Sequence, residues 1–256
     1  MKNNYYLKLI GIFTLGIIGL SSCSSDDDEV TTTDPSTLSN ELLLHYAFDG
    51  NVNDSSINDY NGENFGATFT NDRFGNAASA VLFDGVDDYI DLPNLIQLKP
   101  NLPLSIAFWI RYDSQDVSDR DVFNTSFEEN RDTGIYYNSQ SSTGNYAVNF
   151  GDGSNNYLSS TRRTYVADQA IEVNVWHHVA IIITSGTNMD IYIDGVKTSG
   201  TYSGSGGDLE YSNTSGSIGR HDRSMTETAN HFKGALDDFR YWNRELTASE
   251  ISELNQ

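Results

Sequence analysis

His177 and His178 are the first side chains that could grip a metal, and their spacing argues against it. Neighbouring residues on a strand face opposite ways, so the pair cannot chelate one ion together and reads as packing or hydrogen-bonding residues. Nucleophilic chemistry finds no foothold, because the chain has neither a Gly-x-Ser-x-Gly elbow nor a His-Glu-x-x-His pair. Binding chemistry has more to offer. Tyr136, Tyr137, Tyr157, Tyr165, Tyr202 and Tyr211 lie in a turn-rich stretch, and such rings can stack on sugar C–H faces while Asn, Asp and Arg serve the hydroxyls. Against that, tyrosines of this kind are often half-buried structural residues. Arg162, next to Arg163, could face an acidic ligand or balance local acids.

The elements that must position these groups are constrained by composition. The chain has 256 residues, 38% hydrophobic and 12% aromatic, enough for a real core. Its 36 acidic and 15 basic residues leave a net charge of −21, which speaks against a nucleic-acid partner, since phosphate recognition needs a basic face. The single cysteine, Cys23, excludes an intrachain disulfide and a multi-cysteine zinc site.

The N-terminus reads as an address. Lys2 and Lys8 accompany an almost wholly apolar run from Leu7 to Leu20, too short to span about 30 Å of hydrocarbon and typical of a secretory signal. The following Leu20-Ser21-Ser22-Cys23 resembles the bacterial lipobox, which implies a signal peptide over residues 1–22 and lipidation of Cys23. Two acyl chains on that thiol would anchor the protein to a membrane stably. Residues 23–40 then form a linker, beginning with Asp26-Asp27-Asp28-Glu29, whose charges repel and resist packing. That acidic tract resembles the export signal of surface lipoproteins of the Bacteroidota. It implies a lipid-anchored place on the outer membrane, exposed at the cell surface; a plain spacer facing the periplasm is the alternative.

Residues 41–256 read as one β domain. Leu42, Leu44, Tyr46 and Phe48 share a face, as do Leu104, Ile106, Phe108 and Ile110. Val179-Ala180-Ile181-Ile182-Ile183 is apolar on both faces and predicts a central strand. Asp194-Gly195 predicts a tight hairpin turn. Thr247 and Glu250 fit a capping box that starts a short C-terminal helix, with Leu246 and Ile251 as its hydrophobic staple. Many short strands at this spacing predict a two-sheet sandwich.

Four segments carry a resemblance: Tyr46-Ala47-Phe48-Asp49-Gly50-Asn51 with its Asn/Gly-rich loop, Phe83-Asp84-Gly85-Val86-Asp87-Asp88-Tyr89-Ile90, Trp176-His177-His178-Val179-Ala180 with Ile191-Tyr192-Ile193-Asp194-Gly195, and Gly234-Ala235-Leu236-Asp237-Asp238-Phe239-Arg240-Tyr241-Trp242. Together they resemble the laminin G-like jelly-roll domain of the concanavalin A-like lectin/glucanase superfamily. The resemblance implies an all-β, antiparallel, two-sheet jelly roll with its first and last strands side by side. It also implies a structural Ca²⁺, a hard cation suited to carboxylates, amide oxygens and turn carbonyls. Asp49, Asp237, Asn58 and the Gly50 carbonyl are the expected ligands, with Asp237 and Asp238 on opposite faces of their strand. Local acids bound to loop amides are the competing reading. One departure is Ile57, which replaces the glycine usual before Asn58.

Glucanases of that superfamily carry Glu-x-Asp-x-x-Glu on one strand, which projects a catalytic pair into the cleft. Here Glu128-Glu129-Asn130-Arg131-Asp132 has the wrong spacing, and no other stretch fits. The function expected is therefore non-catalytic: a surface lipoprotein that binds glycan or adheres through a calcium-stabilised jelly roll. An envelope protein-interaction or structural subunit is the alternative, and a cryptic glycosidase a third option.

Overall fold

The computed structural model describes residues 37–114, 121–140, 143–220 and 231–256, which form sixteen strands in two sheets and one α-helix. One sheet holds β1 (Leu42–Tyr46), β3 (Thr68–Thr70), β4 (Ala80–Asp84), β6 (Leu104–Tyr112), β11 (Trp176–Ser185), β12 (Asn188–Ile193), β13 (Val196–Lys197) and β16 (Lys233–Trp242). The other holds β2 (Glu63–Phe65), β5 (Tyr89–Asp91), β7 (Asp121–Asn124), β8 (Ile135–Ser139), β9 (Asn145–Gly151), β10 (Arg162–Ala170), β14 (Gly200–Ser203) and β15 (Ser217–Ile218). The first runs β13-β12-β11-β6-β16-β4-β3, with β1 on the free half of β16; the second runs β14-β10-β9-β8-β7-β15-β5-β2. The expected antiparallel sandwich is the observed one.

Period-two patterning fills the space between the sheets. Leu104, Ile106, Phe108, Ile110 and Tyr112 on β6, with Val179, Ile181 and Ile183 on β11, meet Tyr146, Val148 and Phe150 on β9 in one core. Phe108 sits at its centre, 5.2 Å from Tyr137, 5.7 Å from Phe123 and 5.8 Å from Phe239, so aromatics of both layers interlock.

The two-sided apolarity of β11 has a local cause. Ala180 and Ile182 face away from the main core and are covered by Ile251 and Leu254 of α1 (Ala248–Leu254), together with Leu246, Trp242 and Leu38. The capping box is present: Thr247 caps Glu250 N–H, and the Glu250 carboxylate accepts the Thr247 amide at 2.8 Å. The folded body starts before residue 41. Thr37–Ser39 forms a 3₁₀ turn, Leu38 is buried, and the Trp242 indole donates to the Leu38 carbonyl at 2.7 Å. The domain boundary thus moves into the expected linker, because Leu38 fills a hollow beside the last strand. The expected signal peptide, Cys23 and the linker through Ser36 lie outside the described residues.

The first and last strands are neighbours: Tyr46 pairs with Phe239 and His45 with Arg240. A bulge interrupts β16, where Asp237 opposes Trp109 and Arg240 opposes Ala107. Asp238, at φ 53°, is the extra residue.

Candidate functional site

Antiparallel registration brings residues from distant segments onto one line. Across the second sheet Ser203, Thr164, Asn149, Tyr136, Asn124, Ser217, Asp91 and Glu63 are successive partners on eight strands. Directly opposed residues share a face, and this face points away from the apolar core. The result is an unbroken polar row. Thr164 donates to Asn149 Oδ1 at 2.7 Å, and Asn149 Nδ2 reaches Asn138 Oδ1 at 3.3 Å. Asn124 Nδ2 donates to Ser217 Oγ at 2.8 Å and to the Arg220 carbonyl at 2.9 Å. From Thr164 to Ser217 the row is buried, and Asn124 Oδ1 has no hydrogen-bond partner among the described residues.

The row opens at its Asp91 end. A cleft of about 280 Å³ is lined by Asp91, Phe127, Glu128, Thr214, Ser217 and Arg220. The Arg220 guanidinium lies 3.3 Å from the centroid of the Tyr89 ring and donates to Asp91 Oδ1 at 3.3 Å. Tyr89 in turn stacks on Phe65 at 4.6 Å with an 11° interplanar angle. An aromatic platform, a guanidinium, a carboxylate and hydroxyls converge here. That donor and acceptor set suits a polyhydroxylated ligand.

The tyrosines singled out in the sequence divide. Tyr136 lies in the polar row but is buried. Tyr137 and Tyr165 belong to the core between the sheets and offer no ring face to a ligand, a correction that follows from alternation on β8 and β10. Tyr157 donates to the Glu128 carbonyl at 3.1 Å and supports the loop beside the cleft. Tyr211 spends its hydroxyl on the Pro100 carbonyl, at 2.9 Å. Tyr202, 45% exposed, packs on Tyr165 and bonds both backbone groups of Met189. Arg162 lies 3.8 Å from the buried Asp132 and donates to the Tyr157 carbonyl.

Sequence reading missed Asp91, Asn124, Asn149, Thr164, Ser217 and Arg220. Each is an ordinary strand or turn residue, and only the pairing of non-adjacent strands makes a row of them.

The residues expected to hold calcium are engaged otherwise. Asp237 is buried against the Arg73 guanidinium, which itself lies 4.7 Å from the Trp109 centroid. Burial pushes the Asp237 carboxyl up to about 7, against the pull of Arg73. Asn58 straps β1 by donating to the Leu42 and Leu43 carbonyls at 2.9 and 3.1 Å. Asp49 and Gly50 are exposed, and Gly50 N–H closes a turn onto the Phe48 carbonyl. This set does not fit a cation held by Asp49, Gly50, Asn58 and Asp237, because Arg73 already supplies positive charge at its most buried carboxylate.

The bulge overturns a further expectation. It turns Asp237 and Asp238 to the same outer face, where Asp238 takes His45 Nε2 at 2.7 Å and Arg240 Nε at 2.9 Å. Those partners hold the Asp238 carboxyl down at about 2, overcoming its burial. Among the described residues the acids close enough together to share an ion are Asp84, Asp87 and Asp88. Asp84 and Asp88 already accept amides of their own turn. His177 bonds Asp194 at 2.8 Å and His178 packs on Trp109, so both are hydrogen-bonding and packing residues.

The two antiparallel sheets, packed face to face, define a jelly-roll sandwich of the concanavalin A-like type. The Laminin_G_3 family, described as concanavalin A-like lectin/glucanases superfamily, matches residues 84–252, and the chain belongs to it. No curated protein matches the sequence. Among solved structures, domain 4 of AbnA, a GH43 extracellular arabinanase from Geobacillus stearothermophilus, in complex with arabinotriose, is similar with a TM-score of 0.62 and 20% identity, over 84% of this chain and 98% of that one. The binding domain of Paraclostridial Mosquitocidal Protein 1 is similar with a TM-score of 0.63 and 19% identity, over 85% of this chain and 52% of that one. A botulinum neurotoxin type C structure, from work on cell entry dependent upon interaction with two ganglioside molecules, gives 0.65 and 13%, over 87% and 52%. The chain spans about half of each toxin chain, and at these identities the likeness is one of fold.

Proposed function

We propose that this protein is a non-catalytic, lipid-anchored cell-surface protein that binds neutral oligosaccharide in the Asp91–Arg220 cleft. The observation that carries the reading is the polar row ending in an open cleft beside the Phe65–Tyr89–Arg220 stack. Domain 4 of AbnA, captured with arabinotriose, supports it by analogy of fold. The non-catalytic part is supported by the sequence, in which no stretch carries the Glu-x-Asp-x-x-Glu spacing that projects a catalytic pair from one strand. Calcium is no part of this proposal, since Arg73 occupies the expected site. The anchor rests on Cys23 and the apolar run before it.

Titration calorimetry with arabinotriose and a panel of neutral oligosaccharides tests the binding. Saturable binding is expected, weakened about tenfold or more in Arg220→Ala, the size of one lost charged hydrogen bond. A panel without binding overturns the reading, and release of reducing sugar would turn it toward the glycosidase. Palmitate labelling that persists in Cys23→Ala would remove the anchor.

A further inference from the structure

Arg162 and Arg163 are adjacent in the sequence and opposite in the fold. Arg163 pairs with Phe150 and is followed at alternate positions by Tyr165 and Ala167, so it stands on the inward-facing row of β10. A guanidinium there is costly unless it meets water or an acid. The chain turns its other seven described arginines onto carboxylates: Asp237, Asp113, Glu128, Asp132, Asp91, Asp238 and Glu250. Arg163 has none among the described residues. Its Nη1 makes one long contact, 3.4 Å to the Gly204 carbonyl, and its buried Nε has no acceptor among the described residues.

What Arg163 does have is space. It lines a cleft of about 580 Å³ at the end of the sandwich, under the β11–β12 turn and beside Asn101, Thr184, Thr187, Asp208 and Leu209. The turn leans on its stem: a Cβ at Gly186 would lie 3.1 Å from Arg163 Cγ and 3.3 Å from Nε. The glycine leaves room for the Arg163 stem beneath the turn, which a side chain at that position would crowd. In a chain of net charge −21, a positioned and unpaired guanidinium in a roomy cleft of hydroxyls and an amide selects an anion carried on a polar body.

We propose that this cleft is a second saccharide site, specific for a sugar bearing a carboxylate, such as a uronic acid residue. Arg163 takes the carboxylate through its planar fork, Asn101 and Thr187 serve the ring hydroxyls, and Leu209 faces the C–H edge. Asp208 opposes the ligand's charge and tempers the affinity. The site is separate from the Asp91–Arg220 cleft and stands without it.

The test is calorimetric titration of the purified protein with oligogalacturonate and oligoglucuronate, beside neutral oligosaccharides and inorganic sulfate. Saturable uronate binding is expected, at least tenfold weaker in Arg163→Gln and several-fold tighter in Asp208→Asn. Absence of uronate binding by the unaltered protein overturns the proposal, as does equal affinity in Arg163→Gln. Sulfate bound as tightly as uronate also overturns it, because the cleft would then read charge alone. Should Arg163→Gln fail to fold, by circular dichroism, the exposed Asp208→Asn decides: unchanged affinity refutes the assignment. Loss of neutral-sugar binding with uronate binding intact would refute the first cleft and leave this one standing.

Discussion

His178 shows what burial does to a single ionisable group. Its ring packs 5.4 Å from Trp109 on the outer face of the first sheet, and burial pushes the imidazole down to about 4. Asp238 and Asp194 oppose that shift, while Arg73 and Arg240 reinforce it. The unfolded chain takes up this proton near pH 6.5, before the folded one does. The contribution of His178 is therefore fully present above pH 6.5 and is lost as pH falls through about 4. Asp237 runs the other way. Its carboxyl is raised to about 7, so its contribution is present below the unfolded value near 4 and lost as pH rises through 7. Replacing His178 with Asn should remove a rising contribution of up to ~1.4 kcal/mol per pH unit between pH 4 and 6.5, the slope of one proton, and leave the falling contribution of Asp237 unopposed there. Urea denaturation at several pH values measures this, and parallel profiles for the two proteins would contradict it.

The terminal helix is too short to stand alone, so its cap and its packing must hold it. Glu250 is the shared node. It accepts the Thr247 amide, both Arg244 terminal nitrogens at 2.9 and 2.7 Å, and the Thr37 hydroxyl. Arg244 and these donors hold the Glu250 carboxyl down at about 2, so the cap's contribution persists above the ordinary carboxylate range and fails only in strong acid. Glu250→Gln should cost about 1–2 kcal/mol in chemical denaturation at pH 7. A cost near zero would mean that Leu246, Ile251 and Leu254 hold the helix unaided. The same clasp ties Thr37 to the C-terminal helix, so the variant should also raise amide exchange at Thr37–Asn40.

At the scale of the molecule, the meeting of the first and last strands is secured by side-chain hydrogen bonds and arginine–carboxylate pairs. His45 of β1 and Arg240 of β16 converge on Asp238, and Arg73 closes on Asp237. A protein stabilised in this way needs no divalent ion at that seam. Its melting temperature should stay within about 1 °C on adding chelator or millimolar calcium, whereas a bound ion would raise it by mass action. A calcium-dependent rise of several degrees would restore the cation site that the family resemblance implies.

Local patterns in the sequence determined the elements that obey local rules. Alternation in Leu104–Tyr112 set which side of the strand is core, Asp194-Gly195 set a hairpin, and Thr247 with Glu250 set a helix start, because each depends on neighbours within a few residues. The resemblance of four segments further placed β1 beside β16. Tertiary structure alone decided the rest. The bulge at Asp238 put both acids on one face and gave Asp237 to Arg73, a residue 164 positions away. Alternation on strands with no strong apolar pattern put Tyr137 into the core and Asn149 out of it. Neither candidate cleft could be read from spacing, since Asp91, Ser217 and Arg220, like Asn101, Arg163 and Thr187, become neighbours only when strands far apart in the chain pair and stack.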